Sequence, residues 1–199
     1  MNGKPPDAHW RQRMPITFRK LEPKDGIGIS EMSSLATGIV REHYDPIIGK
    51  AQNDYMLELF HSVDGIRRQL ENGSHYFFVQ AAGRNIGFLA FFPKGNRLYL
   101  SKLYLLKTER GKGYSRLMVD FVMSKAREAS LNSVELNVNK NNDSIRIYER
   151  LGFKVIRSEK NDIGSGYFMD DYVYAMKTDE WRRSSSLPEI PIAPRIEIH

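Results

Sequence analysis

The segment Arg97–Ser115, RLYLSKLYLLKTERGKGYS, predicts a β-strand, a glycine turn and the beginning of a helix. Its first half carries leucines among polar and aromatic residues, which is typical of a strand. Beyond Tyr114, apolar residues recur at helical spacing through residue 129. A helix that begins directly after a glycine turn has unpaired backbone N–H groups, and together with the helix dipole these favour an anion.

Two well-known phosphate-binding loops do not fit this turn. A P-loop requires Gly, four residues and then Gly-Lys-Ser/Thr, and the chain has no such run. A dinucleotide loop requires Gly-x-Gly-x-x-Gly, but Arg116 occupies the position of its third glycine. An RNA-recognition signature also fails, because Lys112 follows Gly111 where that signature has an aromatic residue. The pattern that fits is Arg/Gln-x-x-Gly-x-Gly/Ala, with Ser115 at its last position.

This turn resembles the pyrophosphate loop of the GNAT acyltransferase superfamily, which binds acetyl-CoA. A second segment, NNDSIRIYERLGF at 141–153, is similar to the family's Asn-x-x-Ala-x-x-x-Tyr-x-x-x-Gly-Phe motif, with Ser144 as the small residue. One helix and one strand are predicted between the two motifs, as in the family. The resemblance covers about residues 15 to 178. It implies the α/β GNAT fold: a mixed, mostly antiparallel central sheet with a splayed central strand pair, flanked by helices on both faces.

The chain is predicted to contain one domain with an extension at each end. With 199 residues and 41% hydrophobic content, it is long enough for one core. Residues 1–14 are expected to form a loose N-terminal arm and residues 15–178 the acetyltransferase domain. Residues 179–199 are rich in serine and proline and are expected to form a flexible tail.

Composition excludes several classes of function. The chain has no cysteine, so it has neither a disulfide framework nor a thiol nucleophile. Its five histidines are scattered, so no metal is expected. No apolar run is long enough for a membrane span or a signal core, which predicts a cytoplasmic protein without a membrane partner. The net charge of +6 suits a polyanion such as coenzyme A, and would also suit nucleic acid.

The leucine pattern of the central strand shifts by one residue at Ser101–Lys102. A shift of one residue exchanges the two faces of a strand, so either a β-bulge lies here or one leucine pair faces outward. We favour the bulge. It would separate this strand from its neighbour and leave main-chain groups free for a ligand, as the family does for its pantetheine arm.

Residues 29–72 show helical stripes that Pro46 and Gly49 interrupt. In the GNAT superfamily this region forms a wall of the acceptor pocket. Five polar or aromatic residues in it could contact a substrate, although a surface or core position in the helical layer is the commoner role for each. They are His43, Tyr44, Asp45, Tyr55 and His61.

The resemblance also implies a set of cofactor-binding residues. Main-chain groups of Leu103 and Leu105 would pair with the pantetheine amides, which resemble peptide groups, and the N–H of Leu105 would bind the oxyanion. Asn141 would hold the cofactor arm, unless it is only a loop or capping residue. The loop residues would bind the pyrophosphate, unless they form a solvated basic turn: Arg110, Gly111, Lys112, Gly113, Tyr114, Ser115 and Arg116.

For catalysis, the resemblance points to Tyr148 as the acid that protonates the leaving thiolate. A phenol with a pKa of about 10 remains neutral at pH 7 and can donate a proton; the alternative is that Tyr148 only packs on an apolar face. Ser101 stands where many relatives carry a glutamate base. Glu135, Asp170 and Asp171 are on strands expected near the cleft. The two aspartates would attract a cationic amine, unless they are solvated residues of an edge strand.

The sequence therefore predicts an N-acetyltransferase. It would move an acetyl group from acetyl-CoA, its co-substrate, to a primary amine by direct attack through a tetrahedral intermediate, with a small amine or polyamine favoured as acceptor. The alternatives are an acyl-CoA sensor, a protein N-terminal or lysine acetyltransferase and, less favoured, a nucleic-acid binder. A homodimer is compatible with the sequence.

Overall fold

Seven strands and five α-helices follow one another in the computed structural model, which describes residues 15–182. The predicted N-terminal arm and most of the predicted C-terminal tail lie outside these residues. A short 3-10 turn covers Lys107–Glu109. The elements are β1 (Ile16–Leu21), α1 (Gly26–Ile48), α2 (Lys50–His61), α3 (Val63–Glu71), β2 (His75–Ala81), β3 (Arg84–Lys94), β4 (Arg97–Leu105), α4 (Tyr114–Glu128), β5 (Ser133–Asn139), α5 (Ile145–Arg150), β6 (Lys154–Gly164) and β7 (Tyr167–Lys177).

The strands form one sheet in the order β1-β2-β3-β4-β5-β7-β6. All neighbouring strands are antiparallel except β4 and β5. These two are parallel and pair only where Arg97–Tyr99 lies beside Ser133–Glu135. Beyond those residues they diverge, which confirms the predicted mixed sheet with a splayed central pair.

The predicted bulge lies in β4. Ala90 of β3 pairs with Lys102 and Phe91 pairs with Leu100, so Ser101 is the extra residue. The Ser101 hydroxyl donates to the Ala90 carbonyl over 3.1 Å. Because of the bulge, leucines on both sides of the shift reach the same core.

Two hydrophobic cores cover the two faces of the sheet, as the fold prediction required. On one face, α4 packs on the central strands, for example through Phe121 against Phe77, and Met118 is buried in the same core. On the other face, α1 and α3 cover β2 and β3, with Met32 and Phe88 fully buried. Each such buried side chain contributes roughly 1.5–3 kcal/mol of transfer free energy, and together they hold β4 between two helical layers.

Pro46 does not interrupt the helix, contrary to the prediction from sequence. α1 continues through it to Ile48 and ends at Gly49, whose φ is +83°. A proline removes one helical hydrogen bond, and close to the C-terminal end little helix remains beyond it. The boundary between α1 and α2 is therefore set by the glycine.

The packed chain continues beyond residue 178, where the sequence predicted the end of the domain. Trp181 is 4% exposed and lies in the core beside α4. Its Nε1–H donates to Asp120 Oδ1 over 2.9 Å, and the Arg116 guanidinium stacks 4.4 Å from its ring centre. A single tryptophan in a polar segment gives no periodic signal, which is why the sequence did not reveal this contact.

Candidate active site

A cavity of about 280 Å³ lies where β4 and β5 diverge. β4 contributes residues 100–105 to its wall, and the loop and first turn of α4 contribute Arg110, Gly111, Tyr114 and Ser115. The second motif contributes residues 142–144, Ile147 and Tyr148. The fold therefore brings both sequence motifs to one cavity.

Two glycines shape the loop at one end of this cavity. Gly111 and Gly113 have φ values of +76° and +79°, in the left-handed region that favours glycine. Gly113 is the N-cap of α4, and no side chain caps this helix within residues 15–182. The N–H groups of the first helical turn, at Tyr114 and Ser115, have no intrahelical acceptor. The loop thus has the geometry of the predicted anion site.

The three basic residues of the loop are used in different ways. Arg110 lines the cavity, and its Nε donates to the Leu105 carbonyl over 3.2 Å. Lys112 forms an ion pair of 2.8 Å with Glu109. Arg116 stacks on the tryptophan described above instead of lining the cavity. Of the three predicted phosphate-binding cations, the structure brings Arg110 to the cavity wall.

The edge of β4 that faces β5 is bare at the cavity. Pairing with β5 ends at Tyr99, and within the described residues no other strand takes its place. Leu103 and Leu105, the two residues that the sequence assigned to pantetheine, line the cavity at this edge. A chain with amide groups can extend a sheet at such an edge.

Tyr148 projects from α5 into the cavity. Its ring lies edge-to-face on Phe153, with 5.9 Å between the centroids, and 6.5 Å from the ring of Tyr174. Burial, and to a lesser extent the nearby Tyr44, raises the pKa of the Tyr148 phenol well above its usual value. The hydroxyl therefore stays protonated at neutral pH and can act as a donor.

At the second motif it is Asn142 that lines the cavity, one residue after the asparagine that the sequence assigned to the cofactor. Asn141 is exposed, and its backbone N–H donates to Asn139 Oδ1 over 2.9 Å. Asn142 is 4% exposed, and its Oδ1 accepts from the Ser144 N–H at 2.9 Å just before α5. The position of Asn142 just before a short helix is typical of a capping residue, but this pattern did not show that its side chain faces the cavity.

Asn142 also connects α5 to α1. Its Oδ1 lies 3.1 Å from His43 Nε2, and its Nδ2 donates to the Tyr44 hydroxyl over 3.2 Å. Both α1 residues line the cavity. Burial, followed by the charge of Arg110, lowers the pKa of the His43 imidazole below its usual value.

The other three residues proposed from α1 and α2 hold the fold together. Asp45 accepts from Asn53 Nδ2 over 2.6 Å, and the Tyr55 hydroxyl donates to the Ile163 carbonyl over 2.7 Å. His61 is buried against aromatic rings, and burial lowers its pKa to about 3. These three residues are not part of the cavity wall.

Asp171 lies just behind the cavity wall. It is 2% exposed, and the Asn137 amide, which does line the cavity, is 3.4 Å from its Oδ2. Burial raises the pKa of the Asp171 carboxyl, and the neighbouring Asp170 and Glu159 add to this effect. The carboxylate is thus held close to the cavity by weak contacts.

The other acidic candidates are paired with cations. Asp170 forms an ion pair with Lys140. Glu135 lies between Arg97 at 3.2 Å and Arg157 at 3.3 Å. Neither carboxylate lines the cavity. Asp171 differs from these two acids, because no residue in 15–182 forms an ion pair with it.

Lys102 is a feature that the sequence analysis missed. It belongs to the cavity wall, yet its Nζ donates to Gln69 Oε1 over 2.7 Å and lies 5.4 Å from the ring centre of Tyr76, in the core beneath α3. Burial lowers the pKa of this ammonium group to about 7. A lysine in a strand normally indicates a face exposed to solvent, so the sequence pattern did not indicate that Lys102 is buried.

Comparison with sequence families identifies one match. The family described as acetyltransferase (GNAT) domain matches residues 47–168, more than half of the chain. A sequence search of curated proteins found no significant match. Within residues 15–182, no helix is long and apolar enough to cross a membrane, and no group of three or more His, Asp or Glu side chains is arranged to hold a metal ion.

Several solved structures have the same fold. The PaiA N-acetyltransferase from Thermoplasma acidophilum, solved in complex with coenzyme A, superimposes with a TM-score of 0.65 at 19% identity, over 82% of this chain and 99% of that one. Mutant forms of the spermidine/spermine N-acetyltransferase SpeG from Vibrio cholerae give a TM-score of 0.57 at 18% identity, over 83% of this chain and 95% of that one.

Proposed function

Because the chain belongs to the GNAT acetyltransferase family and is an acyltransferase, we propose that it moves an acetyl group from acetyl-CoA to the nitrogen of a small primary amine. The observation that carries this proposal is the continuity of the cavity. It joins the N-terminus of α4, the bare edge of β4 and the Tyr148 hydroxyl.

The cofactor would lie along the cavity with its diphosphate at the first turn of α4. There the N–H groups of Tyr114 and Ser115 and the charge of Arg110 are available. The pantetheine amides would pair with the main chain of β4 at Leu103 and Leu105. The coenzyme A in the Thermoplasma structure supports this choice of ligand class.

The chemistry requires one oxyanion donor and one acid. Attack of the amine on the thioester carbon places negative charge on the carbonyl oxygen, which the Leu105 N–H would stabilise. The carbon–sulfur bond then breaks, and Tyr148 would give its proton to the thiolate. The same burial that raises the pKa of the phenol also raises the basicity of a thiolate formed beside it.

The acceptor amine would approach over Asn137 toward Asp171. The buried carboxylate would attract an ammonium group, and the Asn137 Oδ1 is buried without a hydrogen-bond partner in the described residues. Since the neighbouring acids are paired with cations, the charge of this wall fits an acceptor with a single cationic group, namely the ammonium of the reacting nitrogen itself. A small monoamine is therefore favoured over a long polyamine, although the polyamine enzyme from Vibrio has the same fold.

Calorimetry with acetyl-CoA, followed by an assay of thiol release with a panel of acceptors, tests this proposal. The panel should include monoamines, spermidine, spermine and a lysine-containing peptide. We expect micromolar binding, on the order of −8 kcal/mol, and turnover with at least one small amine. Binding without turnover on any acceptor would support the acyl-CoA sensor instead, and turnover confined to the peptide would support a protein acetyltransferase.

A further inference from the structure

Deprotonation of the acceptor needs a base, and the cavity wall contains few groups that are unprotonated at neutral pH. Ser101 cannot serve as a base, and its hydroxyl is engaged with a backbone carbonyl. Asp171 and Glu135 lie outside the wall. Among the described wall residues, His43, Asp143 and Lys102, whose pKa burial lowers to about 7, are the side chains that can accept a proton at pH 7. The Lys102 amine is hydrogen-bonded to Gln69 Oε1 in the core beneath α3, so it is not presented to an acceptor in the cavity. Asp143 is exposed at the turn before α5, whereas His43 is half-buried on α1.

The hydrogen bonds of Asn142 determine which nitrogen of His43 carries the proton. Asn142 Oδ1 accepts from the Ser144 N–H, and its Nδ2 donates to Tyr44, so the amide orientation is fixed. The group facing His43 Nε2 is therefore an acceptor, and Nε2 must carry a hydrogen. In the neutral ring, Nδ1 is then the unprotonated nitrogen.

We propose that His43 is the general base of the reaction, with Nδ1 as the nitrogen that takes the proton and Asn142 as the residue that positions it. This inference rests on the proposed acetyl transfer. His43 takes one proton from the acceptor ammonium, and the neutral amine forms the new carbon–nitrogen bond. Tyr148 protonates the thiolate as it departs. The second proton on the nitrogen then returns the Tyr148 phenolate to its neutral form.

Over the whole reaction the acceptor ammonium loses two protons. One goes to the His43 imidazole, and the other reaches the sulfur through Tyr148. The imidazolium then releases its proton to solvent, which it can do because it is half-exposed. Charged groups from three elements face the ring. Burial and Arg110 keep the resting imidazole neutral, whereas Asp143 and Glu42 stabilise the imidazolium that forms during the reaction.

The dependence of kcat/KM on pH tests this role. In the wild-type protein we expect an acid limb with an apparent pKa below about 6.5. His43→Gln should remove that limb and lower kcat/KM at neutral pH by about 100-fold, while calorimetry shows unchanged acetyl-CoA affinity. A matched control is His75→Gln, which changes a half-buried histidine on β2 that is not in the cavity wall; it should leave the limb in place.

The substitution Asn142→Asp tests whether His43 acts as a base or has only a structural role. The aspartate can still accept from the Ser144 N–H and from His43 Nε2, but its charge should raise the His43 pKa and move the acid limb upward by about one pH unit. NMR of the imidazole should show the Nε2–H form in the wild-type protein. An acid limb that persists in His43→Gln, or an Nδ1–H ring, would overturn this inference alone. A wild-type protein that acetylates no amine would overturn the proposed function and this inference with it.

Discussion

The two sides of the cavity are built differently. The side proposed for the cofactor consists mainly of backbone: the glycine turn, the first turn of α4 and the bare edge of β4. The proposed acceptor side consists of side chains from α1, β5 and β7: His43 and Asn137 in the cavity wall, and Asp171 just behind it. A site made of backbone depends on local conformation, so a short stretch of sequence reveals it. A site made of side chains exists only where distant elements meet.

The largest effect is expected from disturbing the backbone side at Gly113. Gly113→Trp places a bulky side chain at φ +79° in the loop, where it strains the backbone and blocks the approach of a phosphate. We expect acetyl-CoA affinity to fall by about 1,000-fold or more, or about 4 kcal/mol, in calorimetry.

Gly95→Trp is the control for backbone strain alone. Gly95 lies between β3 and β4, has a φ of +63°, and an added Cβ would meet nothing within 4 Å. It should lose stability but bind acetyl-CoA normally. If Gly113→Trp bound as tightly as this control, the idea that backbone amides form the cofactor side would have to be abandoned.

The next effect concerns the one side chain on which the proposed leaving-group step depends. Tyr148→Phe keeps the ring contacts with Phe153 but removes the proton donor. We expect kcat to fall by about 100-fold with acetyl-CoA affinity unchanged, because general acid catalysis contributes roughly 10²–10⁴-fold. Steady-state kinetics with calorimetry measure both. An unaltered kcat would show that the thiolate leaves without this acid.

Lys102 belongs to neither side in full, because the residue forms part of the cavity wall while its ammonium group lies in the core. Lys102→Met removes a buried charge, and Gln69 Oε1 still accepts from the Tyr76 hydroxyl over 3.0 Å. The free energy of unfolding at pH 7 should therefore rise by about 2 kcal/mol, as measured by urea denaturation.

The effect of Lys102 on stability depends on pH. Its pKa is about 7 in the folded protein and about 10.4 when unfolded. Between these values the unfolded chain binds more protons, so the wild-type protein gains stability as pH rises, and the advantage of Lys102→Met shrinks toward about pH 10. Lys24→Met, at an exposed turn, should show neither effect. A variant less stable than the wild type at every pH would contradict the assignment.

The smallest effect is expected from the acceptor side. Asp171→Asn removes the carboxylate that has no ion pair within the described part of the chain, and it should raise KM for the amine by about 10-fold, or about 1.4 kcal/mol. Asp170→Asn is the matched control, since that carboxylate is paired with Lys140 near the surface; it should change KM by less than about twofold. Equal effects of the two substitutions would mean that Asp171 has no special part in binding the amine.

Features with a local cause were predicted well. The bulge at Ser101 followed from the shift in the leucine pattern, and the loop at Gly113 followed from its glycine spacing. The features that the sequence did not predict have a common cause, which is contact between residues that are far apart in the chain. Trp181 docks on α4 from the end of the domain, and the sequence had no means of showing that Asn142 faces α1.

The sequence by itself determined the fold family and the backbone frame of the cofactor side, because strand alternation, glycine turns and helix starts act within a few residues. Tertiary structure decided which polar side chains meet in the cavity. It placed His43 against Asn142, moved the ammonium of Lys102 into the core and left Asp171 without an ion pair among residues 15–182. The physical reason is that protonation and pairing depend on burial and on charges a few ångströms away, and residues that are remote in the chain supply both.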